Sequence, residues 1–165
     1  MNLEFIKTEL FMLTIAGAFQ RNKVYKDNID EKRRIEFRRN IRSLLEKMKT
    51  EYKISVSEVR HLENLDKLKN DIEKQNSDLL RDSTISFGTV QKLLNLYLKY
   101  LWSIGLISEP PHCPIDKIIF KKINDHKTSW TNMNKADYVS AIEKISNIKG
   151  SLSIARWELK EFLRR

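Results

Sequence analysis

Residues that interrupt regular backbone structure are scarce in this sequence. Among 165 residues there are only four glycines, three prolines and one cysteine. So few turn formers in a chain of this length favour long helices over many short strands joined by tight turns. The single cysteine, Cys113, excludes an intramolecular disulfide bond and favours a reducing, cytoplasmic environment. We therefore expect an all-α, cytoplasmic protein.

Several signatures of enzymes and binding proteins are also missing. The chain has no glycine-rich phosphate loop, no GxSxG elbow, no HExxH pair and no calcium-loop or zinc-finger spacing. An RNP-type signature is absent, as is an arginine followed four to six residues later by histidine, which marks some helical ribonucleases. No cofactor or metal is predicted, and the apolar run at residues 10–19 is too short to span a membrane.

Charged residues are abundant in the sequence, and positive charges outnumber negative ones. Charged residues make up 32% of the chain, hydrophobic residues 41%, and the net charge is +9. This composition is typical of a folded domain, and the length suits a single one covering residues 1–165. The excess of positive charge favours an acidic partner, either a nucleic acid (DNA or RNA) or another acidic surface. A homo-oligomer is also compatible with the sequence.

The apolar pattern predicts a bundle of about six or seven helices around one central helix at residues 86–104. On a helical wheel, apolar residues of this segment cover about two-thirds of the circumference, which is wider than the face of a surface helix. Residues 134–163 are predicted to form a helical hairpin on one side. In the first helix, at residues 3–21, the predicted core face comprises Leu3, Ile6, Leu10, Leu13 and Gly17.

The remaining third of the central helix is polar. We call this set the polar stripe, and it comprises Gln91, Lys92, Asn95, Lys99 and Trp102. Two interpretations are open: a solvated strip where the helix reaches the surface, or the floor of a cleft. In the second case Trp102 would stack on a planar ligand held by amide and ammonium groups.

A second basic feature is the helix predicted at residues 30–48. Its first half carries five arginines, which we call the arginine cluster: Arg33, Arg34, Arg38, Arg39 and Arg42. Three of them recur every fourth residue and so form a row along one face. Because the planar guanidinium binds phosphate at two points, the cluster indicates phosphate contacts. It could instead be a solvated face or pair with acidic groups of the fold.

The segment HCPID places three reactive residue types close together. His112, Cys113 and Asp116 could bind a metal or transfer protons, but four zinc ligands in paired spacing are absent. The alternative is a rigid turn in which Cys113 is buried, His112 caps, and Asp116 occupies the first turn of a helix. His61, on the preceding amphipathic helix, is interpreted as a surface or boundary residue.

Three functions follow from these features. The first is nucleic-acid binding, in which the arginine cluster contacts phosphates with little base recognition. The second is assembly or interaction with proteins, which requires an exposed apolar patch. The third is an enzyme acting on a nucleotide or phosphorylated substrate. Its pocket would be lined by Gln91, Asn95, Lys99 and His112, with His112 or Asp116 transferring protons.

Overall fold

The computed structural model describes residues 2–162, and within them all regular structure is helical. An isolated β-bridge joins Tyr25 to Leu80, and short 3-10 turns occupy Glu51–Lys53 and Arg81–Ser83. The predicted all-α class is confirmed. The seven α-helices of this part of the chain are α1 (Leu3–Phe19), α2 (Glu31–Met48), α3 (Glu58–Asn76), α4 (Phe87–Ser103), α5 (Lys117–Lys122), α6 (Lys135–Ile148) and α7 (Ile154–Glu161).

Helix α4 is the centre of the fold, as predicted. Thirteen of its 17 residues are buried. Ser86 caps its first turn by accepting a hydrogen bond from the Thr89 amide, because the first amides of a helix lack partners within it. At the other end, Gly105 adopts the left-handed conformation that terminates many helices, with φ of 75°. Its neighbours α1 and α3 pack directly against it.

The prediction for the core face of α1 was wrong. The buried residues are Phe11, Thr14, Ile15 and Ala18, whereas Leu13 is exposed. This helix is apolar on most sides, so periodicity alone could not indicate which side faces α4. Gly17 does lie at a close crossing of α1 and α4. A Cβ atom placed there would lie 2.8 Å from Cδ1 of Leu96.

The polar helices are delimited by side-chain caps. Asp30 accepts from the Arg33 amide at the start of α2, and Ser57 does the same for Arg60 at the start of α3. Asn134 and Asp137 form a reciprocal capping box at the start of α6. The predicted hairpin corresponds to α6 and α7, which contact each other; residue 163 lies outside the described residues.

Candidate functional site

The amides of the polar stripe lie inside the fold. Gln91 is fully buried, and Asn95 is 1% exposed. Both interpretations made from the sequence were therefore wrong for these two residues, since they form neither a solvated strip nor the floor of an open cleft. Buried amides need hydrogen-bond partners, and both residues have them.

The backbone of Ile115 determines how these amides are oriented. Gln91 donates from Nε2 to the Ile115 carbonyl at 2.7 Å and accepts at Oε1 from the Ile115 amide at 3.0 Å. Because Oε1 is thereby an acceptor, the atom of Asn95 that faces it at 3.3 Å must be the amide nitrogen. The carbonyl oxygen of Asn95 consequently faces His61, with Oδ1 3.0 Å from Nε2.

His61 is therefore part of the core, and its interpretation as a surface or boundary residue was wrong. Its exposure is 0%. Since Oδ1 of Asn95 can only accept, Nε2 of His61 carries the proton and Nδ1 accepts from the Tyr52 hydroxyl at 2.7 Å. Tyr52 in turn accepts from Asn64 at 3.2 Å. Burial raises the pKa of Tyr52 to about 12, which keeps this hydroxyl a donor.

On its other side, Asn95 connects to His112. Its Nδ2 donates to the Tyr138 hydroxyl at 3.0 Å, and that hydroxyl lies 3.0 Å from Nδ1 of His112. The amide nitrogen of Asn95 can only donate, so the acceptor within reach of the Tyr138 hydroxyl hydrogen is Nδ1 of His112. The hydroxyl therefore donates to Nδ1, and the neutral His112 carries its proton on Nε2. This Nε2 is buried and has no hydrogen-bond partner within residues 2–162.

Both imidazoles are neutral near pH 7. Burial lowers the pKa of His61 to about 3 and that of His112 to about 4, because the charged forms lose their hydration. The neighbouring His112 lowers the pKa of His61 further. The two rings lie edge to face with centroids 4.8 Å apart. A neutral, ordered network of amides, phenols and imidazoles therefore runs through the core.

Lys99 and Trp102 lie beside His112, at the edge of this network. Lys99 is buried in an ion pair with Glu158, its Nζ 2.8 Å from Oε1. Together with Trp102 and His112 it borders a crevice that has no space for a water molecule. Of the residues predicted to line one ligand pocket, Lys99, Trp102 and His112 therefore border the same space, but that space is too small for a ligand. The charge of Lys99 is balanced by Glu158. Cys113 is buried beside them, as the rigid-turn interpretation expected.

Lys92 and Asp116 face an open cleft on another side of α4. Their charged groups lie 3.8 Å apart, and the Lys92 ammonium lies 4.1 Å from the centre of the Trp130 ring. Burial lowers the pKa of Lys92. Asp116 caps α5 by accepting from the amides of Ile118 and Ile119. It occupies the cap position instead of the predicted first turn. Proton transfer by His112 or Asp116 stays a prediction.

This opening is one of two adjoining cavities, of about 900 and 420 Å³, that share Arg21, Lys117, Lys121 and Trp130. We call the pair the basic cleft. Six cationic side chains line it against three carboxylates. Lys92 pairs with Asp116, and Lys122 pairs with Glu161. Asp125 pairs with Lys144, which does not line the basic cleft. Within residues 2–162, four of the lining cations make no ion pair: Arg21, Lys117, Lys121 and Lys127.

Sequence reasoning missed the basic cleft because its cations come from separate segments. Arg21 follows α1, Lys117 and Lys121 lie in α5, and Lys127 belongs to the next loop. The spacing of Lys117 and Lys121, four residues apart, was a signal that could have identified one part of it. Tyr138 was not identified from the sequence either, although its hydroxyl connects Asn95 to His112.

The arginine cluster makes several contacts within the fold. Arg33 pairs with Asp78, Arg38 with Glu31, and Arg42 with Glu4 on α1 at 2.9 Å. The Arg34 guanidinium lies 5.1 Å from the centre of the Tyr25 ring. Arg39 is exposed and makes no ion pair within residues 2–162. Phosphate binding by this cluster stays a prediction.

The arginine cluster and the polar stripe lie on different sides of the fold. Tyr97 donates to Glu46 of α2, whereas Asn95 bonds to Tyr138 of α6. Because Asn95 and Tyr97 are two residues apart on α4, their side chains leave the helix axis in directions about 200° apart. The two features therefore do not line one groove.

Comparison of the chain with known protein families, with curated proteins and with solved structures finds no match. Residues 2–162 contain no group of three or more histidine, cysteine, aspartate or glutamate side chains arranged to hold a metal ion. In the same part of the chain, every helix is too short or too polar to cross a membrane.

Proposed function

We propose that this protein binds nucleic acid through the basic cleft by contacting phosphates. The observation that carries this proposal is the group of four cations without ion-pair partners in residues 2–162: Arg21, Lys117, Lys121 and Lys127. A cation without a carboxylate partner can attract phosphate and release the counterions condensed around it.

The shape and surroundings of the basic cleft support this assignment. Lys117 and Lys121 are exposed and one turn apart on α5, so both can reach the same backbone. The hydroxyls of Ser129 and Thr131 lie at the rim, where they can bond to phosphate oxygens. Trp130 is only 6% exposed and stacks on Lys92, so it supports the wall and offers no platform for bases. We expect such a surface to bind nucleic acid with little preference for its base sequence.

The arginine cluster is the competing surface for the same function. Three of its members pair with carboxylates of the fold, so a bound phosphate has to displace an existing partner. At the basic cleft, Lys117 and Lys121 need no such exchange. This difference favours the basic cleft as the primary contact and leaves Arg39 as a peripheral one.

The test measures binding of a labelled single-stranded oligonucleotide by fluorescence anisotropy across a range of salt concentrations. We compare the wild type with the double variant Lys117→Gln, Lys121→Gln. Each lysine that contacts a phosphate adds about 0.7 to the slope of log K against log salt for single strands, so the double variant should lose about 1.4 from that slope. Its affinity at low salt should fall by about tenfold or more.

The matched control removes two charges from the arginine cluster with Arg33→Gln, Arg39→Gln. Under the proposal this variant keeps most of the wild-type slope, although its net charge equals that of the first variant. Equal losses in both variants would indicate non-specific attraction. A loss confined to the control would assign binding to α2.

A second candidate function, assembly with a second copy of this chain, is favoured by one feature of α1. Phe5, Met12 and Leu13 are 60%, 50% and 42% exposed, and Phe5 and Met12 lie on one line along the helix. Light scattering of the wild type and of Met12→Lys distinguishes the cases. A dimer that the variant dissociates supports assembly, and a wild-type monomer excludes self-association.

A further inference from the structure

The buried polar network ends in one hydrogen-bond donor that nothing uses. The backbone amide of Ile115 fixes which atom of Gln91 accepts, and this in turn fixes the donors and acceptors of Asn95 and Tyr138. As a result, the proton of His112 lies on Nε2. This atom is buried and unpartnered within residues 2–162, and His112 is only 2% exposed. A buried donor without a partner is costly, so its retention points to a ligand that supplies an acceptor.

The donor lies at the floor of a cleft between α3 and α6. This His112 cleft has a volume of about 230 Å³ and is lined by Glu58, Leu62, His112, Val139, Ile142, Glu143, Ser146 and Asn147. It shares none of these residues with the basic cleft. Since pockets for drug-sized ligands measure roughly 300–1,000 Å³, the His112 cleft suits a single planar ring system.

The charge of the His112 cleft restricts the ligand further. Its two lining carboxylates, Glu58 and Glu143, are not balanced by any lining cation, so phosphates and other anions are disfavoured. Leu62, Val139 and Ile142 provide apolar walls against which a flat ring can pack. The ligand is therefore not an anion, has a flat ring, and presents an acceptor toward His112 and donors toward Glu58.

Glu58 controls access to the donor. Its Oε2 lies 3.9 Å from Nε2 of His112, which is beyond hydrogen-bond distance. The Glu58 side chain is 63% exposed and stands at the first position of α3, where it can rotate away or bond to a ligand. An incoming molecule can thus meet one donor and one two-oxygen acceptor side by side.

From this arrangement we propose that the His112 cleft binds a guanine base, presented as an uncharged nucleoside. Guanine has an acceptor, O6, followed along the same edge by two donors, N1–H and N2–H. The O6 atom accepts from Nε2 of His112, and the two donors bond to the two oxygens of Glu58. Adenine, cytosine and uracil each lack this acceptor–donor–donor order. The site is independent of phosphate binding at the basic cleft.

The test records the imidazole resonances of uniformly ¹⁵N-labelled protein during titration with guanosine, adenosine, cytidine and uridine. The chain has three histidines, and His126→Gln assigns the exposed one. Guanosine should shift the Nε2 and attached proton signals of His112, whereas the other three nucleosides should leave them unchanged. Guanosine monophosphate should bind more weakly because its phosphate meets the carboxylates.

Two variants separate recognition from general charge. Glu58→Gln keeps the size of the side chain but loses the paired acceptors, so guanosine affinity should fall by about tenfold or more. Glu63→Gln removes an equal charge from the same helix outside the His112 cleft and should retain wild-type affinity. Equal shifts from all four nucleosides, no shift of His112 with guanosine, or equal effects of the two variants would each overturn the proposal.

Discussion

The polar side of α4 and the arginine cluster of α2 are both hydrophilic faces on amphipathic helices, yet they serve the fold differently. On α4, Gln91 and Asn95 are buried and bond to defined partners at fixed distances. On α2, Arg33 and Arg38 pair with carboxylates at the surface, and Arg39 faces solvent. The α4 groups fix the core, whereas the α2 groups can exchange partners.

This contrast shows that the environment of a polar residue decides how much its interactions contribute to the free energy of unfolding. A buried amide that loses its partner incurs its full desolvation cost, whereas an exposed ion pair is screened by water and salt. It follows that substitutions on α4 should change stability, those on α5 should change mainly binding, and those on α2 should change each of them only slightly. Three experiments test the contrast, from the largest expected effect to the smallest.

The substitution Asn95→Ala should produce the largest decrease in the free energy of unfolding. It leaves Nε2–H of His61 without an acceptor and the Tyr138 hydroxyl without a donor, each buried. Because each orphaned group costs about 1–3 kcal/mol, the free energy of unfolding should fall by about 2–6 kcal/mol. Urea denaturation followed by circular dichroism measures the change. Asn70→Ala on the exposed side of α3 serves as the control and should stay within about 0.5 kcal/mol.

Acidification should produce the next effect, through His61 and His112. The pKa values of both folded-state imidazoles lie below the unfolded value, at about 3 and about 4, so the unfolded chain takes up protons first as the pH falls. The stability contributed by the two imidazoles is full above pH about 6.5 and declines until pH about 4 for His112 and pH about 3 for His61. Between pH 7 and pH 5 the loss is on the order of 2 kcal/mol per histidine. Urea denaturation at these two pH values measures the decline.

His126 provides the matched control for this pH effect, because its side chain is exposed. The variant His126→Gln should keep the wild-type pH dependence, whereas His112→Gln should lose about half of it. Equal unfolding free energies of the wild type at both pH values would contradict the burial of two neutral imidazoles.

The smallest effect is expected from Arg33→Gln on α2. This change removes a surface ion pair with Asp78, whose side chain is 66% exposed. Exposed pairs contribute about 0–1 kcal/mol, so unfolding by urea should shift by no more than that. A loss comparable with that of Asn95→Ala would break the distinction between the two helices.

The sequence predicted the helices well and the polar contacts poorly. Residues 86–104 were recognised as central because apolar residues surround most of α4, and that pattern requires neighbours on several sides. The face of α1 was misassigned, since its apolar residues extend around the helix and Phe5, Met12 and Leu13 remain exposed. His61 was wrongly interpreted as a surface or boundary residue because it follows the charged Arg60. Its buried partner Asn95 lies 34 residues away in sequence, so local spacing could not reveal the contact.

The amino-acid sequence alone determined the all-α class, the central helix and the excess of positive charge. Each of these depends on local spacing or on composition. The tertiary structure decided which polar groups are buried, which cations lack ion-pair partners, and how His112 comes to present a protonated Nε2 beside Glu58. These properties depend on contacts between distant segments, such as Gln91 with Ile115 and Asn95 with Tyr138, and only the folded chain brings those segments together.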